Sequence, residues 1–225
     1  MTRTALVVGA GGSLGSALCA ALSERGFRVV AAGRNRAALE AEVAADQFLE
    51  IEVSSVSSMA ELATVGPLDV VVYNAGRLDL ATLADTTPDM FTQSWQVNAL
   101  GAFLCARAVT PHMTERGHGT MLFVGATASI RSGARTHAFS SAKHALRGLS
   151  SALAKELGPR GIHVAHIILD GKLWGDRTRR RFPDVTEARC LQPAAVAHTM
   201  MQVIEQPSSA WTFELDLRPH DEKWS

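Results

Sequence analysis

Four glycines near the amino terminus are the strongest chemical feature of the sequence. The turn Gly9-Ala10-Gly11-Gly12-Ser13-Leu14-Gly15 follows an apolar run at residues 5–8 and precedes a helical stretch at 14–25. Glycines let a backbone approach a phosphate closely, and the N–H groups at the start of a helix can then bind it. A strand before and a helix after is the context in which such a cluster binds a dinucleotide. The turn therefore predicts a diphosphate site; the alternative is a tight strand-to-helix turn without a ligand.

The composition of the chain excludes several classes of protein that could contain such a turn. Lys and Arg together number 22, as do Asp and Glu, so no net charge favours nucleic acid or a membrane surface. No apolar run reaches the ~18 residues that a membrane span needs. The three cysteines are far apart and lack metal-ligand spacing, so we expect reduced thiols, no metal site and a cytoplasmic location. The chain length of 225 residues favours a single domain, 1–225.

Short apolar runs alternate with longer amphipathic segments, and most runs are apolar on both faces. This pattern predicts a doubly wound α/β fold: a parallel sheet of about seven strands with helices on both faces. The predicted strands are 5–8, 28–32, 48–53, 70–73, 120–124, 163–169 and 211–215, and the predicted helices are 14–25, 88–116, 138–157 and 193–205. One segment, 175–189, has five arginines and little apolar periodicity, which indicates a mobile surface segment near a site.

The order of several motifs resembles the short-chain dehydrogenase/reductase family, whose turn is usually T-G-x-x-x-G-x-G. Gly9 and Gly15 match its outer glycines, whereas Val8 replaces the Thr and Ser13 the middle Gly. Asn74-Ala75-Gly76, Asn98 and Lys143 match three further family motifs in the expected order. The resemblance implies a Rossmann-type fold and a set of cofactor-binding residues: Gly9, Gly11, Gly12, Ser13, Leu14, Gly15, Glu52, Val53, Asn74, Ala75, Gly76, Lys143, Gly171 and Leu173.

Arg34 predicts which nicotinamide cofactor is preferred. An acidic residue at the end of the second strand would bind the ribose hydroxyls of NAD and repel a 2′-phosphate. This chain has Gly33 there, followed by Arg34, whose guanidinium could pair with that phosphate. We therefore expect NADP(H) to be preferred over NAD(H). The alternative is that Arg34 and Arg36 are solvated residues of the next helix.

Two of the family's four catalytic residues are absent. The resemblance assigns proton transfer to a Tyr, its activation to a Lys four residues later, polarisation of the substrate oxygen to a Ser, and a water chain to an Asn. Asn98 and Lys143 are present, but the Tyr position is Phe139 and the Ser position is Ala126. Neither side chain can donate a hydrogen bond. The pattern resembles a small subgroup with Phe at the Tyr position, whose members usually have only the general label of oxidoreductase.

Three residues are candidates to replace the missing hydroxyls. Thr127 follows Ala126 and could turn its hydroxyl into the site, or it could bond its own backbone. His137 titrates in a useful range, but two residues along a helix point about 200° apart, so a surface or interface position is favoured. Lys143 could itself be the acid if burial lowers its pKa. The single tyrosine, Tyr73, is not expected to substitute.

Two functional classes remain. The first is an oxidoreductase acting on a carbonyl or alcohol, with Asn98, Lys143 and a water or Thr127 at the reacting centre. The second is a non-catalytic NADP(H)-binding protein, either a redox sensor or a subunit of an active partner; Phe139 and Ala126 favour it. By resemblance, residues 172–192 form a substrate lid whose arginines could bind an anionic substrate or be solvated.

We also expect a homodimer or homotetramer. The helices predicted at 88–116 and 138–157 pair across a twofold axis in the family, and here they combine large apolar residues with small ones. The small residues are Ala99, Gly101, Ala102, Ala142 and Ala145. The segment 210–217 is a further candidate contact as a strand that could meet its copy.

Overall fold

A computed structural model describes residues 2–222; the ends of the predicted domain, Met1 and residues 223–225, lie outside this range. Seven parallel strands form one sheet in the order β3-β2-β1-β4-β5-β6-β7. The strands are β1 (Thr4–Val8), β2 (Arg28–Gly33), β3 (Gln47–Glu50), β4 (Val70–Tyr73), β5 (Gly119–Val124), β6 (Ile162–Leu169) and β7 (Glu214–Leu217). The predicted single-domain fold is thereby confirmed.

Eight α-helices cover the two faces of the sheet in the described part of the chain. They are α1 (Gly12–Glu24), α2 (Arg36–Glu42), α3 (Val56–Ala60), α4 (Pro88–Trp95), α5 (Gly101–Arg116), α6 (His137–Leu157), α7 (Asp176–Arg181) and α8 (Pro193–Ile204). No helix within residues 2–222 is both long and apolar enough to cross a bilayer.

Residues that alternate along β1 contribute to two separate hydrophobic cores, one on each face of the sheet. Val7 packs with Leu18 of α1 and Met200 of α8 on one face. Leu6 packs with Val109 of α5 and Leu146 of α6 on the other. Because both faces are buried, the central strands β1, β4 and β5 are mostly apolar, as the sequence predicted, whereas the edge strands β3 and β7 are half-buried and mixed.

The strand order indicates where a ligand site is expected. β1 lies between β2 and β4, so the crossover direction reverses at the β1–β4 boundary. Ligands of such sheets bind beyond the carboxyl ends of the strands at this switch point. Gly9 follows β1 and Asn74 follows β4, which brings the first two motifs together.

Several predicted boundaries were wrong, for local reasons. β3 ends at Glu50 rather than at residue 53, and the Glu52 N–H donates to the Ser58 Oγ instead of to a neighbouring strand. β7 starts at Glu214 rather than at 211, since the Thr212 N–H donates to the Gln206 side chain. The segment predicted as mobile contains a short helix, α7.

The long helix predicted at 88–116 is interrupted. Residues Gln96–Leu100 form a π-helical turn between α4 and α5. Helices α2, α3 and α7 were not predicted, because each is only five to seven residues long. Asn35 and Ser55 cap the first two by accepting backbone N–H groups.

Candidate active site

The glycine turn has the geometry of a phosphate cradle. Gly9 has φ +84°, and a Cβ there would lie 2.5 Å from the Ala75 nitrogen, so only glycine fits. A Cβ at Gly15 would collide with the Ala10 carbonyl. Gly11 precedes α1 without a side-chain cap, which leaves the first N–H groups of α1 available. These features fit the diphosphate of a dinucleotide.

Ser13 meets the segment that follows β6. A Cβ on Gly175, which has φ +154°, would lie 2.7 Å from the Ser13 Oγ. The residue that departs from the family's glycine pattern therefore lies directly beneath the predicted lid. Two residues before Gly175, Leu173 pairs with Leu191 in an isolated parallel bridge.

The adenosine side of the predicted site is polar and open. Arg34 is exposed, and within residues 2–222 its guanidinium makes no hydrogen bond or ion pair. Arg36 instead pairs with Glu40 at 2.7 Å across one helical turn. Glu52 accepts hydrogen bonds from the backbone and hydroxyl of Ser54. Of the two arginines considered, only Arg34 thus remains free to meet a phosphate.

Asn74 and Asn98 hold the loop after β4 against its neighbours. The Asn74 Nδ2 donates to the Gly9 carbonyl at 2.8 Å, which ties this loop to the glycine turn. Asn98 is fully buried in the π-helical turn and donates to the Arg77 and Ser94 carbonyls at 2.9 and 2.8 Å. Its Oδ1 accepts the Arg77 N–H at 3.3 Å. Asn98 thus fixes the loop at Arg77.

Tyr73 explains how the π-helical turn is accommodated. Its hydroxyl donates to the Val97 carbonyl at 2.6 Å, within the widened turn. Gly101 follows the turn, and a Cβ there would collide with the Tyr73 hydroxyl. Burial raises the pKa of Tyr73 well above its ordinary value. The only tyrosine of the chain therefore contacts the π-helical turn and helps to hold it in place.

Lys143 is a buried ammonium beside Asn98. Its Nζ donates to the Val124 carbonyl at 2.8 Å, and burial lowers its pKa to about 8. A Cβ on Gly76 would lie 3.4 Å from the Asn98 Oδ1 and 3.8 Å from the Lys143 Nζ. Both polar groups therefore lie next to Gly76. The pKa of Lys143 is lowered, as proton donation near neutral pH would require.

The positions of the missing hydroxyls are apolar. The centroid of the Phe139 ring lies 5.8 Å from the Lys143 Nζ. The Ala126 N–H donates to the Ser129 Oγ at 3.1 Å, so the nearest serine hydroxyl serves as a cap for the turn after β5. His137 is exposed at the first residue of α6.

Thr127 is engaged by a buried carboxylate. Its Oγ1 donates to the Asp170 Oδ1 at 2.7 Å, and Asp170 is almost fully buried. Arg131 and Arg218 each approach the Asp170 Oδ2 to 2.8 Å. Asp170 thus joins the loops after β5, β6 and β7. The Thr127 proton is used in this cluster, an arrangement that favours a structural role for Thr127 over proton donation.

His166 was missed by the sequence analysis, because in the sequence it is one of two histidines within an otherwise apolar strand. It is fully buried on β6, with its Nδ1 3.3 Å from the Glu214 Oε2. Its Nε2 faces Gly125 and has no hydrogen-bond partner in the described residues. Burial lowers the pKa of His166 to about 4, so the ring is neutral at pH 7.

Comparisons with known proteins agree with this geometry. An uncharacterised oxidoreductase of Staphylococcus aureus is 28% identical over 228 residues, covering 96% of this chain and 97% of that protein. A short-chain dehydrogenase structure from Rhodopseudomonas palustris is 31% identical with a TM-score of 0.83, covering 97% and 99%. An actinorhodin polyketide ketoreductase variant with NADPH is 25% identical with a TM-score of 0.87, covering 99% and 98%.

The family model described as short chain dehydrogenase matches residues 3–171, which include the glycine turn, Asn98 and Lys143. The matched range is well over half of the sequence and ends just beyond β6. The chain therefore belongs to the short-chain dehydrogenase family.

Proposed function

We propose that the protein is an NADP(H)-dependent oxidoreductase that interconverts a carbonyl compound and its alcohol. The observation that carries the proposal is the pair of Asn98 and Lys143 at Gly76, in a loop that Asn74 ties to the glycine turn. Lys143 is a buried cation with only one hydrogen bond in the described residues, to Val124. An ammonium can donate three, so the site has donors left for a bound group.

The chain's own residues fit a dinucleotide along the carboxyl edge of the sheet. The glycine turn and α1 would hold the diphosphate, Val53 and Glu52 would flank the adenine, and Lys143 would bind the nicotinamide ribose. The backbone at Gly171 and Leu173 would meet the carboxamide. When bound, the reduced cofactor supplies a hydride.

We assign the donation of a proton to the substrate oxygen to Lys143. With a pKa of about 8, its Nζ is mostly protonated at pH 7. It can therefore deliver a proton to the substrate oxygen, directly or through one water, as the oxygen gains negative charge. Thr127 is the weaker candidate because its proton is donated to Asp170. Asn98 holds the Arg77 loop beside the reacting centre.

The proposed preference for NADPH over NADH can be tested at Arg34. A charge-assisted hydrogen bond to the 2′-phosphate contributes about 1.5–3 kcal/mol, so calorimetry should show NADPH binding at least about tenfold tighter than NADH. Arg34→Gln should remove this difference without weakening NADH binding. Arg36→Gln is the matched control, because Arg36 is paired with Glu40. Tighter binding of NADH to the wild type would contradict the assignment.

A second functional class is favoured by one observation. The positions of the catalytic Tyr and Ser hold Phe139 and Ala126; beside Ala126, the Thr127 hydroxyl donates to Asp170 and the Ser129 hydroxyl accepts the Ala126 N–H. This arrangement would suit a non-catalytic NADP(H)-binding protein that senses redox state or supports an active partner.

One experiment separates the two classes. NADPH oxidation by the wild type is measured against a panel of aldehydes and ketones, together with the double variant Phe139→Tyr, Ala126→Ser. The oxidoreductase proposal expects wild-type turnover that is lost in Lys143→Met. Activity that appears only in the double variant would show that the wild type binds the cofactor without catalysis.

Four further assignments belong to this proposal. We assign the chain to the subgroup with Phe at the Tyr position, and residues 172–192 to a lid over the substrate. We place the protein in the cytoplasm, which three free, buried cysteines support. We also propose a homodimer or homotetramer through α4 and α5, where Phe91, Trp95 and Phe103 are each more than 40% exposed.

Most of the small residues that were predicted to form the contact between subunits are not exposed to a partner. Ala99, Gly101, Ala102 and Ala142 are buried inside the protomer, and only Ala145 is partly exposed. These small residues therefore serve packing within one chain. The exposed aromatic side chains of α4 and α5 are the better basis for a contact between subunits.

A further inference from the structure

The predicted lid concentrates positive charge in a chain whose formal net charge is zero. Between residues 172 and 181 there are five cationic side chains and one carboxylate, Asp176. Asp176 pairs with Arg179, which also lies over the Trp174 ring at 5.9 Å. The remaining cations of this segment are Lys172, Arg177, Arg180 and Arg181, and within residues 2–222 none of them forms an ion pair. The lid thus carries a local excess of positive charge.

Arg181 brings this charge to the mouth of the candidate site. Its Nη1 donates to the Leu78 carbonyl at 3.1 Å, so α7 meets the loop after β4. This is the loop that Asn98 fixes at Arg77. On its other side, the Ala81 N–H donates to the Arg135 carbonyl at 3.0 Å. Segments that follow β4, β5 and β6 therefore meet at the loop that adjoins the candidate site.

Arg177 shares the helix face of Arg181. Residues four apart lie on the same side of a helix, so Arg177 lies one turn before Arg181 on the same face of α7. Like charges at this spacing repel each other and destabilise a helix, and an anion between them would remove that repulsion. One of the five N–H donors of Arg181 is used by Leu78, which leaves the others for a ligand.

The interior of the site has the same sign of charge. Lys143 is buried, and within residues 2–222 no carboxylate forms an ion pair with it. Phe139 lies beside its ammonium at 5.8 Å and offers apolar surface where the family has a hydroxyl. A substrate entering past α7 therefore meets cations at the entrance and at the far end, with an apolar wall at Phe139.

We propose that Arg177 and Arg181 bind an anionic group of the substrate, so that the protein acts on carbonyl compounds bearing a carboxylate or a phosphate. The assignment rests on the proposed function and deepens it. Both anions have oxygen atoms that match the planar donors of a guanidinium, and arginine binds either with two parallel hydrogen bonds.

The test uses substrates matched in shape but not in charge. Levulinate is compared with methyl levulinate, and dihydroxyacetone phosphate with dihydroxyacetone. Calorimetry measures the binding of each to the NADPH complex, and NADPH oxidation gives kcat and KM. The variants are Arg181→Met and Arg177→Met. Arg179→Met is the control, since it makes the same change of charge on the opposite face of α7.

We expect an anionic compound to bind at least about tenfold more tightly than its neutral partner, and Arg181→Met to abolish the difference by raising Kd and KM. The carboxylate pair and the phosphate pair report separately on the two anions. Arg179→Met should leave the preference unchanged. Binding without turnover would support this inference while contradicting the proposed reaction. Equal binding of charged and neutral partners, insensitive to Arg181→Met, would overturn the inference even if the protein reduces neutral carbonyls.

Discussion

At the scale of single residues, the site separates cofactor binding from proton transfer. The glycines and Asn74 keep the contacts that shape a phosphate cradle, whereas Phe139 and Ala126 offer no hydroxyl. Lys143 is left as the buried titratable group next to Asn98, and burial alone accounts for its lowered pKa. Under the proposed function, the proton therefore comes from this amine, whose pKa is held below its ordinary value.

Lys143→Met tests the energetic side of this arrangement. The lysine pKa of 10.5 falls to about 8 on folding, so below pH 8 the folded state bears a buried charge at a cost of roughly 3 kcal/mol. Between pH 8 and 10.5 the unfolded state binds more protons, and wild-type stability rises with pH. We expect Lys143→Met to stabilise the apoprotein by about 2 kcal/mol at pH 7 and by less at pH 10, measured by urea unfolding.

The same substitution should abolish carbonyl reduction, and wild-type reduction should decline above pH about 8 as Nζ loses its proton. Lys155→Met is the control, because Lys155 is an exposed lysine near the end of the same helix. A Lys143→Met variant that is less stable than the wild type at pH 7 would contradict the buried-charge explanation, because the loss of activity could then follow from a loss of folded protein.

At the scale of elements, tertiary contacts decide the features that the sequence could not predict. Apolar runs predicted all seven strands, but the bounds of β3 and β7, which contain charged residues, were displaced. The π-helical turn depends on Tyr73, which is 24 residues from Val97 in sequence. No local pattern contains that contact. The ion cluster at Asp170 likewise joins residues up to 48 positions away, so Thr127 was predicted as a candidate catalyst without its partner.

Strand β6 leads to a prediction about acid stability. The pKa of His166 falls from 6.5 to about 4 because of burial, although Glu214 favours its charged form. Burial also lowers the pKa of His163 on the same strand. Between pH 6.5 and 4 the unfolded state binds more protons, so stability is lost as the pH falls. His166 accounts for roughly 3 kcal/mol of this loss.

His166→Gln should flatten the dependence of the free energy of unfolding on pH between 7 and 4.5. Urea unfolding at several pH values measures the slope. His137→Gln serves as the control, since His137 is exposed on α6. An unchanged slope in His166→Gln would show that His166 does not remain neutral on acidification.

At the scale of the whole molecule, one surface stands out from an otherwise ordinary exterior. Phe91 and Trp95 lie one turn apart on α4, and Phe103 follows on α5. Large aromatic side chains contribute much of the affinity of protein interfaces, and a stable dimer buries about 800 Å² on each partner. These helices also flank the π-helical turn that contains Asn98. A contact between subunits at α4 and α5 would therefore also stabilise the position of Asn98.

We therefore expect Trp95→Glu to convert the oligomer to a smaller species in light scattering coupled to size-exclusion chromatography. Val56→Glu, at an exposed apolar residue of α3, should not change the mass. A wild-type protein that is monomeric at micromolar concentration would contradict the proposed contact. Cofactor binding measured alongside would report whether assembly also affects Asn98.

The buried position of Tyr73 has a spectroscopic consequence. Its phenol is shielded from solvent and ionises only far above the ordinary range, so in alkaline titrations the native wild-type protein gives no phenolate absorbance. Any tyrosine introduced elsewhere is then the sole chromophore of this kind. In Phe139→Tyr, an ultraviolet difference titration would read the ionisation of the restored hydroxyl directly. Repeating it with Lys143→Met would give the coupling between the two groups without requiring a substrate.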